Sequence, residues 1–422
     1  MKNKLLNLIL FCTLTIQSFG MYLFLPMNEE QTNHLKAYGF AYWVLQKEVE
    51  AYWLLNYKGG SFMFKYSQSF ENELIVRGIK YQVISDAQSN SVLSEIAAPD
   101  ANMDAMKLEK PPKIAVYSPK TKQPWDDAVT MVLTYAEIPY TVIFDEEILK
   151  GELPTYDWLH LHHEDFTGQY GKFYSNYHAH PWYQKEVQEA ETMAQKFGFN
   201  KVSKLKLAVA KKIREFVTGG GFLFAMCAAT DTYDIALSAD EVDICEQVFD
   251  GDPADPMASR KLNFTNTFAF KDFSLITDPM LYEYSNIDSR PNIQPKVVEE
   301  KNDYFQLFQF SAKWDPVPTM LTQNHENNIK GFMGQTTAFR KSLVKADVLI
   351  MGENKQLSEA RYIHGTFGKG FWTFYGGHDP EDYEHYVYEE PTDLNLHPNS
   401  PGFRLILNNI LFPAAKKKKQ KT

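Results

Sequence analysis

The chain has 422 residues, of which 44% are hydrophobic and 14% aromatic, and it carries a formal net charge of −10. That length allows two domains with ordinary globular cores, and the apolar content excludes global disorder. The negative charge excludes nucleic acid and anionic membrane surfaces as natural partners and leaves a small-molecule substrate as the expected one.

Lys2 and Lys4 precede an apolar run over 5–16, and Gln17-Ser18-Phe19-Gly20 closes it with small residues. This is the pattern of a secretory signal over 1–20. The run falls short of the ~20 apolar residues a spanning helix needs. The expectation is an exported protein, periplasmic or extracellular, with no stable membrane span after cleavage. Residues 21–105 read as a small α/β unit, with a strand at 22–26, a helix at 28–49 and a strand at 50–55. Strand–helix–strand order predicts a right-handed crossover between parallel strands. A turn at Gly59-Gly60, a helix at 71–78 and a strand at 81–85 follow, and the proline-bearing stretch 97–112 reads as a linker.

A main domain is expected over 106–415. It opens with strands at 113–117, 140–144 and 156–163 and a helix at 126–137. Val202, Leu205, Val209, Ile213 and Phe216 mark one face of a further helix, which Gly219-Gly220-Gly221 stops. The next strand runs into Cys227. This alternation predicts an α/β fold with a mostly parallel sheet covered by helices on both faces. Residues 246–345 read as an insertion or sheet extension. Strands return at 347–351 and 370–375, a helix closes the domain over 403–411, and 416–422 is a basic, solvated tail.

Three groups of residues carry possible chemistry. Ala225-Met226-Cys227-Ala228-Ala229 has the form of a nucleophile elbow, with small residues two before and two after the exposed side chain. A thiol there precedes a helix N-terminus, which favours the thiolate. Gly376-Gly377-His378-Asp379-Pro380-Glu381 ends a late strand, so His378 is a candidate base with Glu381 or Asp379 as its orienter. His160, His162, His163, Glu164 and Asp165 crowd another strand end. On a strand, His160 and His162 share one face and His163 takes the other. His160, His162, His163 and Glu164 are candidate ligands for a divalent metal such as zinc, alone or with His378. His163, Glu164 and Asp165, together with Asp231, are equally candidates for binding a polar substrate. Cys245 is the other cysteine of the mature chain, and a Cys227–Cys245 disulfide would silence the thiol.

The order of elements, the glycine turn, the elbow cysteine and the late histidine resemble the class I glutamine amidotransferase-like superfamily, which implies a flavodoxin-like sheet with Cys227 as nucleophile and His378 as base. Two positions depart from that pattern: the elbow glycines are Ala225 and Ala229, and the acid stands three residues after the histidine. Gly219-Gly220-Gly221-Phe222, Ala229-Thr230-Asp231-Thr232, Gly368-Lys369-Gly370 and Gly377-His378-Asp379-Pro380 are similar to the ThuA-like (trehalose utilisation) branch. That branch commonly has histidine at the place of Cys227, and it implies a sugar-related role with a possible metal. The segments 35–39 and 56–61 are similar to exported proteins labelled asparagine synthetase B. The residues do not support that activity: Lys2 stands where such a synthetase has its cysteine, and no Ser-Gly-Gly-x-Asp-Ser loop occurs. The leading expectation is an exported hydrolase acting on a small carbohydrate or amide through Cys227, His378 and an acid. The alternatives are a metal-dependent sugar-processing enzyme and a non-catalytic binding or scaffold module.

Overall fold

The computed structural model describes residues 20–120, 125–289, 303–321, 326–330, 334–382 and 387–415. The expected signal segment before Gly20 and the tail at 416–422 lie outside the described residues.

The first sheet contains β1 (Met21–Leu25), β2 (Ala51–Leu55), β3 (Ser61–Lys65), β4 (Gln82–Ser85) and β5 (Asp104–Leu108) in the order β4-β1-β3-β2-β5. Every pairing in it is antiparallel. β1 and β2 do point the same way, but they are not the adjacent parallel pair that the sequence suggested. Gly59 and Gly60, both at positive φ, turn the chain sharply after β2, so β3 folds back on it as a hairpin. β3 then occupies the space between β2 and β1, giving a split βαβ arrangement. The stretch read as a linker also differs: its second half is β5, paired along the whole of β2.

The helix His34–Gln46 covers this sheet. Asn33 caps it by accepting the Lys36 N–H at 2.9 Å. Nearly all its residues are buried, because its outer side packs on the helices Ala128–Tyr135 and Pro401–Leu411. Gly39 makes the first of these contacts possible: a Cβ there would lie 1.8 Å from the Ala136 carbonyl oxygen.

The second sheet comprises β6 (Ile114–Tyr117), β7 (Thr141–Ile143), β8 (Trp158–Leu161), β9 (Phe222–Met226), β10 (Tyr304–Leu307), β11 (Asn328–Lys330), β12 (Phe339–Arg340), β13 (Leu349–Asn354), β14 (Glu359–Phe367) and β15 (Gly370–Tyr375). Its order is β11-β10-β13-β14-β15-β9-β8-β6-β7, with β12 also on β14. The fold is α/β, but the sheet is mixed rather than mostly parallel. Parallel pairing is confined to β15-β9-β8-β6-β7. The reason lies in the connections. Long helices such as Val202–Gly219 join the strands of the parallel block, whereas β13, β14 and β15 follow one another through tight turns that permit only antiparallel neighbours.

The two sheets do not have separate cores. Leu23, Tyr38 and Trp53 of the first unit belong to the same apolar cluster as Trp158, Phe224 and Phe403 of the second. Arg404, fully buried, reaches from the helix Pro401–Leu411 into the first unit. It donates to Tyr38 Oη at 3.1 Å, to the Met27 carbonyl at 3.3 Å and to the Gly59 carbonyl. The chain is also stitched edge to edge where Glu109 N–H donates to the Ala414 carbonyl.

Replacing Gly39 by Ala should force the helices His34–Gln46 and Ala128–Tyr135 apart and cost about 1–3 kcal/mol. Denaturant unfolding of the variant should show a lower midpoint with an unchanged slope; an unchanged midpoint would contradict this packing.

Candidate active site

β9 delivers the elbow. Cys227 follows its last residue at φ +49°, ψ −137°, a strained conformation for a residue with a Cβ, and forms the N-cap of the helix Ala228–Ser238. Its N–H donates to the Gly377 carbonyl at 2.9 Å, and Ala229 N–H donates to the His162 carbonyl at 3.0 Å. These two bonds tie the ends of β15, β9 and β8 together. The thiol is only 4% exposed. It accepts the Gln335 N–H at 3.3 Å. Gly334, at φ +152°, lies against it: an added Cβ would sit 3.1 Å from Cys227 Sγ and 2.7 Å from His378 Cβ. Only glycine lets the backbone at 334–337 pass over both residues. Asp231 anchors that segment. It is almost fully buried, and its Oδ1 accepts the Thr336 hydroxyl and the Thr232 N–H, each at 3.0 Å. Asp231, expected to bind substrate, thus anchors residues 334–337.

The imidazoles gather beside the elbow. His162, His163 and His378 place their ring nitrogens within 4.8 Å of one another. The His162 and His163 rings stack at 3.9 Å, and the His378 ring lies 4.4 and 4.5 Å from them. The Nε2 atoms of His378 and His163 are 3.3 Å apart. Strand alternation does not separate His162 from His163, because β8 ends at Leu161 and the chain leaves the pleat there. His160 stays outside the group. Its two nitrogens meet Asp127 Oδ2 at 3.0 Å and the Phe224 carbonyl at 3.3 Å.

Asp127 is a functional residue that the sequence did not reveal. It caps the helix Ala128–Tyr135 through Oδ1, which accepts the Thr130 N–H at 2.7 Å, and its Oδ2 lies 3.1 Å from His162 Nδ1. That last contact is close but not aligned as a hydrogen bond, and His162 Nε2 is buried without a hydrogen-bond partner. Burial alone would raise the Asp127 carboxyl, but His160 and His162 outweigh it and hold the carboxyl well below its usual range. Burial holds His160 below its usual value, against the opposing pull of Asp127. The only signal available in the sequence was that Asp127 immediately precedes a helix.

The acids expected around this site divide sharply. Asp379 lies with Asp126 and His378 in one cluster, accepts the Thr392 hydroxyl at 3.0 Å, and is pushed well up by burial. Glu381 does not orient His378. Its positive φ turns it away, and its carboxylate accepts the Ser400 hydroxyl at 2.6 Å with His397 Nδ1 at 3.7 Å. Asp165 lines a cavity beside the histidines and also forms its own loop. Its two oxygens accept the N–H groups of Thr167, Gln169 and Gly171 and the Thr167 hydroxyl. Glu164 turns from the three imidazoles, accepting the His162 N–H at 2.8 Å, and burial pushes its carboxyl up to about 8. Cys227 and Cys245 are both free thiols, and Cys245 donates to the Thr167 carbonyl at 3.2 Å.

A cavity of about 1090 Å³ opens beside the histidines at the ends of β6 and β8. Trp125, Phe173, Trp182, His163, Glu164 and Glu186 are among its lining residues, whereas Cys227 and His378 are not.

No protein-family model matches the chain, and no curated protein matches it. Among solved structures the chain is similar to Cytoplasmic Protein STM3548 from Salmonella typhimurium, with 10% identity over 72% of this chain and 100% of that chain at a TM-score of 0.34. It is similar to Cytoplasmic Protein STM1381 from Salmonella typhimurium LT2, with 9% identity over the same shares at a TM-score of 0.35. It is also similar to Gan42B, a GH42 beta-galactosidase from G. stearothermophilus, with 12% identity over 64% of this chain and 28% of that chain at a TM-score of 0.28. At these TM-scores the likenesses carry no argument about fold or activity.

Burial raises two carboxyls of this cavity, Glu164 from 4.5 to about 8 and Glu186 from 4.5 to about 7. Each keeps its proton in the fold at a pH where the unfolded chain has lost it. Their stabilising contribution is therefore full below about pH 4.5 and is lost as the pH rises to about 8. The melting temperature of the metal-free protein should fall over that window, and less steeply in Glu164→Gln. An equal fall in the variant would contradict the assignment.

Proposed function

We propose that the protein is a metal-dependent hydrolase acting on a small polar substrate, with His162, His163 and His378 as the ligands of a divalent cation such as zinc. The observation that carries this reading is the convergence of three imidazoles from two strand ends, His162 and His378 fully buried and His163 half-buried, with His162 Nε2 lacking a hydrogen-bond partner among the described residues. Three imidazole ligands suit zinc and leave a position open for water or substrate. His163 Nε2 now faces the Asp126 carbonyl at 2.5 Å and would have to give up that contact to ligate through this atom. When bound, such an ion polarises a carbonyl and makes a bound water acidic near neutral pH.

The chain's own residues supply the rest. Asp127 stands behind His162 at Nδ1 and favours the tautomer that leaves the Nε2 lone pair free. His160, held between Asp127 and the Phe224 carbonyl, keeps that carboxylate in place. The aromatic lining of the cavity holds the apolar face of the substrate and excludes water. Glu164, protonated at neutral pH and lining the cavity next to His163, is placed to give a proton to a leaving group. The order β7-β6-β8-β9-β15 within the parallel block is that of flavodoxin-like sheets, and with the elbow it supports descent from the amidotransferase-like superfamily through the ThuA-like branch. A sugar-related substrate and export of the protein belong to the same reading.

A second reading keeps Cys227 as a covalent nucleophile. The strained φ of +49° at the elbow favours it, as does the shared contact of thiol and His378 with Gly334. Here His378 takes the thiol proton, and Asp379 and Asp126 are the acids clustered with the imidazole.

Metal analysis separates the two. Protein purified without chelators should carry about one equivalent of divalent metal, and His162→Ala or His378→Ala should abolish it. Asp127→Asn should weaken metal binding by about 10–100-fold. Cys227→Ala should keep both metal and activity. Protein that neither carries metal nor takes up zinc on dialysis would overturn the metal reading; a Cys227→Ala variant that holds metal but is inactive would favour the thiol.

A further inference from the structure

The cavity beside the histidines has a charge and shape of its own. Trp125, Phe173 and Trp182 form one aromatic wall, with ring centroids 5.1 to 5.5 Å apart and Trp182 set nearly perpendicular to the other two. The indole Nε1 atoms of Trp125 and Trp182 are buried and have no hydrogen-bond partner among the described residues. Glu186 lies one helical turn from Trp182 on the helix Pro181–Lys196, and the rest of the lining is rich in acids. Its described lysines are already used: Lys120 pairs with Glu147 at 2.6 Å, Lys196 with Glu146 at 2.6 Å, and Lys206 with Asp145 at 2.9 Å. Glu186 feels the Lys206 charge but makes no ion pair with a lysine among the described residues, and its Oε2 is buried without a hydrogen bond among them. A buried carboxylate oxygen with no donor is costly unless a ligand supplies one.

We propose that this cavity selects a substrate bearing a primary amine, with the ammonium group between Glu186 and the aromatic wall and hydroxyl groups accepting from the two indole N–H donors. A cation here is drawn both by the carboxylate and by the negative faces of the rings, in a site shielded from water. A carboxylate or phosphate ligand would meet uncompensated acids and no free lysine among the described lining residues. A neutral polyol could satisfy the indoles but would bring no positive charge to stabilise the carboxylate form of Glu186, which an ammonium group draws out although burial raises the carboxyl to about 7. This inference rests on the cavity being the substrate pocket, and it specifies the substrate class.

Trp125 and Trp182 provide the readout, since a ligand on their faces alters intrinsic fluorescence. Titrations of the metal-free protein with matched amine and hydroxyl pairs, glucosamine against glucose and putrescine against 1,4-butanediol, test the preference directly. At least one amine should bind about tenfold more tightly than its neutral partner, the ratio one desolvated cation contact supplies. Glucuronate should not bind. Glu186→Gln should reduce the amine advantage to near unity and leave binding of the neutral partner unchanged. Equal binding within both pairs, binding of glucuronate, no amine binding at millimolar concentration, or a preference that survives Glu186→Gln would each overturn the proposal. Because the titration needs no metal, amine selectivity together with an absence of metal would sink the hydrolase mechanism and leave this inference standing.

Discussion

Two backbone hydrogen bonds hold the candidate site together: Cys227 N–H to the Gly377 carbonyl, and Ala229 N–H to the His162 carbonyl. Parallel pairing brings Leu161 beside Ala225 and Tyr375 beside Met226, so β8, β9 and β15 finish at the same edge of the sheet. Parallel strands splay at that edge, and ligands collect there. The elbow at Cys227 fills the gap between the outer two strands and bonds to each. That is how His163 and His378, 215 positions apart, come to have nitrogens 3.3 Å from each other.

Polar burial near this edge is of two kinds. Some groups are saturated and shape the backbone. Asp165 with its four donors is one, and Asp234, which accepts the N–H groups of Phe268, Ala269 and Phe270, is another. Others are buried and unmatched: His162 Nε2, the indole nitrogens of Trp125 and Trp182, and Glu186 Oε2. Folded proteins rarely leave such atoms without partners. Others of the kind lie elsewhere, at Trp53 Nε1 for example, but these four border one cavity and the imidazoles next to it, where a ligand could supply the missing partners.

Much of the parallel block was legible in the sequence, because its strands are apolar and its helices carry a clear face. The helix starting at Val202 and the elbow at Cys227 were both readable from spacing and small residues. β14 was not, since it buries Arg361 and His364 and so lacks an apolar run. Arg361 is tolerated there through its 2.8 Å pair with Asp303, a contact between distant segments that no local pattern encodes. β3 was hidden for a different reason: the Gly-Gly turn was evident, but not that the strand after it would slide between β2 and β1. At the site, residue type alone marked the histidines. It could not assign Glu381 to Ser400, Asp165 to its own loop, or Asp127 to His162, because each depends on where the backbone turns after a strand or before a helix.

The guanidinium of Arg404 has a consequence for how the polypeptide is made. The carbonyls and the phenol that receive it belong to segments synthesised well before it, since Arg404 stands 366 positions after Tyr38. On the ribosome the split βαβ can form its sheet, but its helix must wait with one side uncovered until the helix Pro401–Leu411 has also been made. Assembly of this molecule is therefore not vectorial: an earlier-made layer is sealed by a much later-made helix.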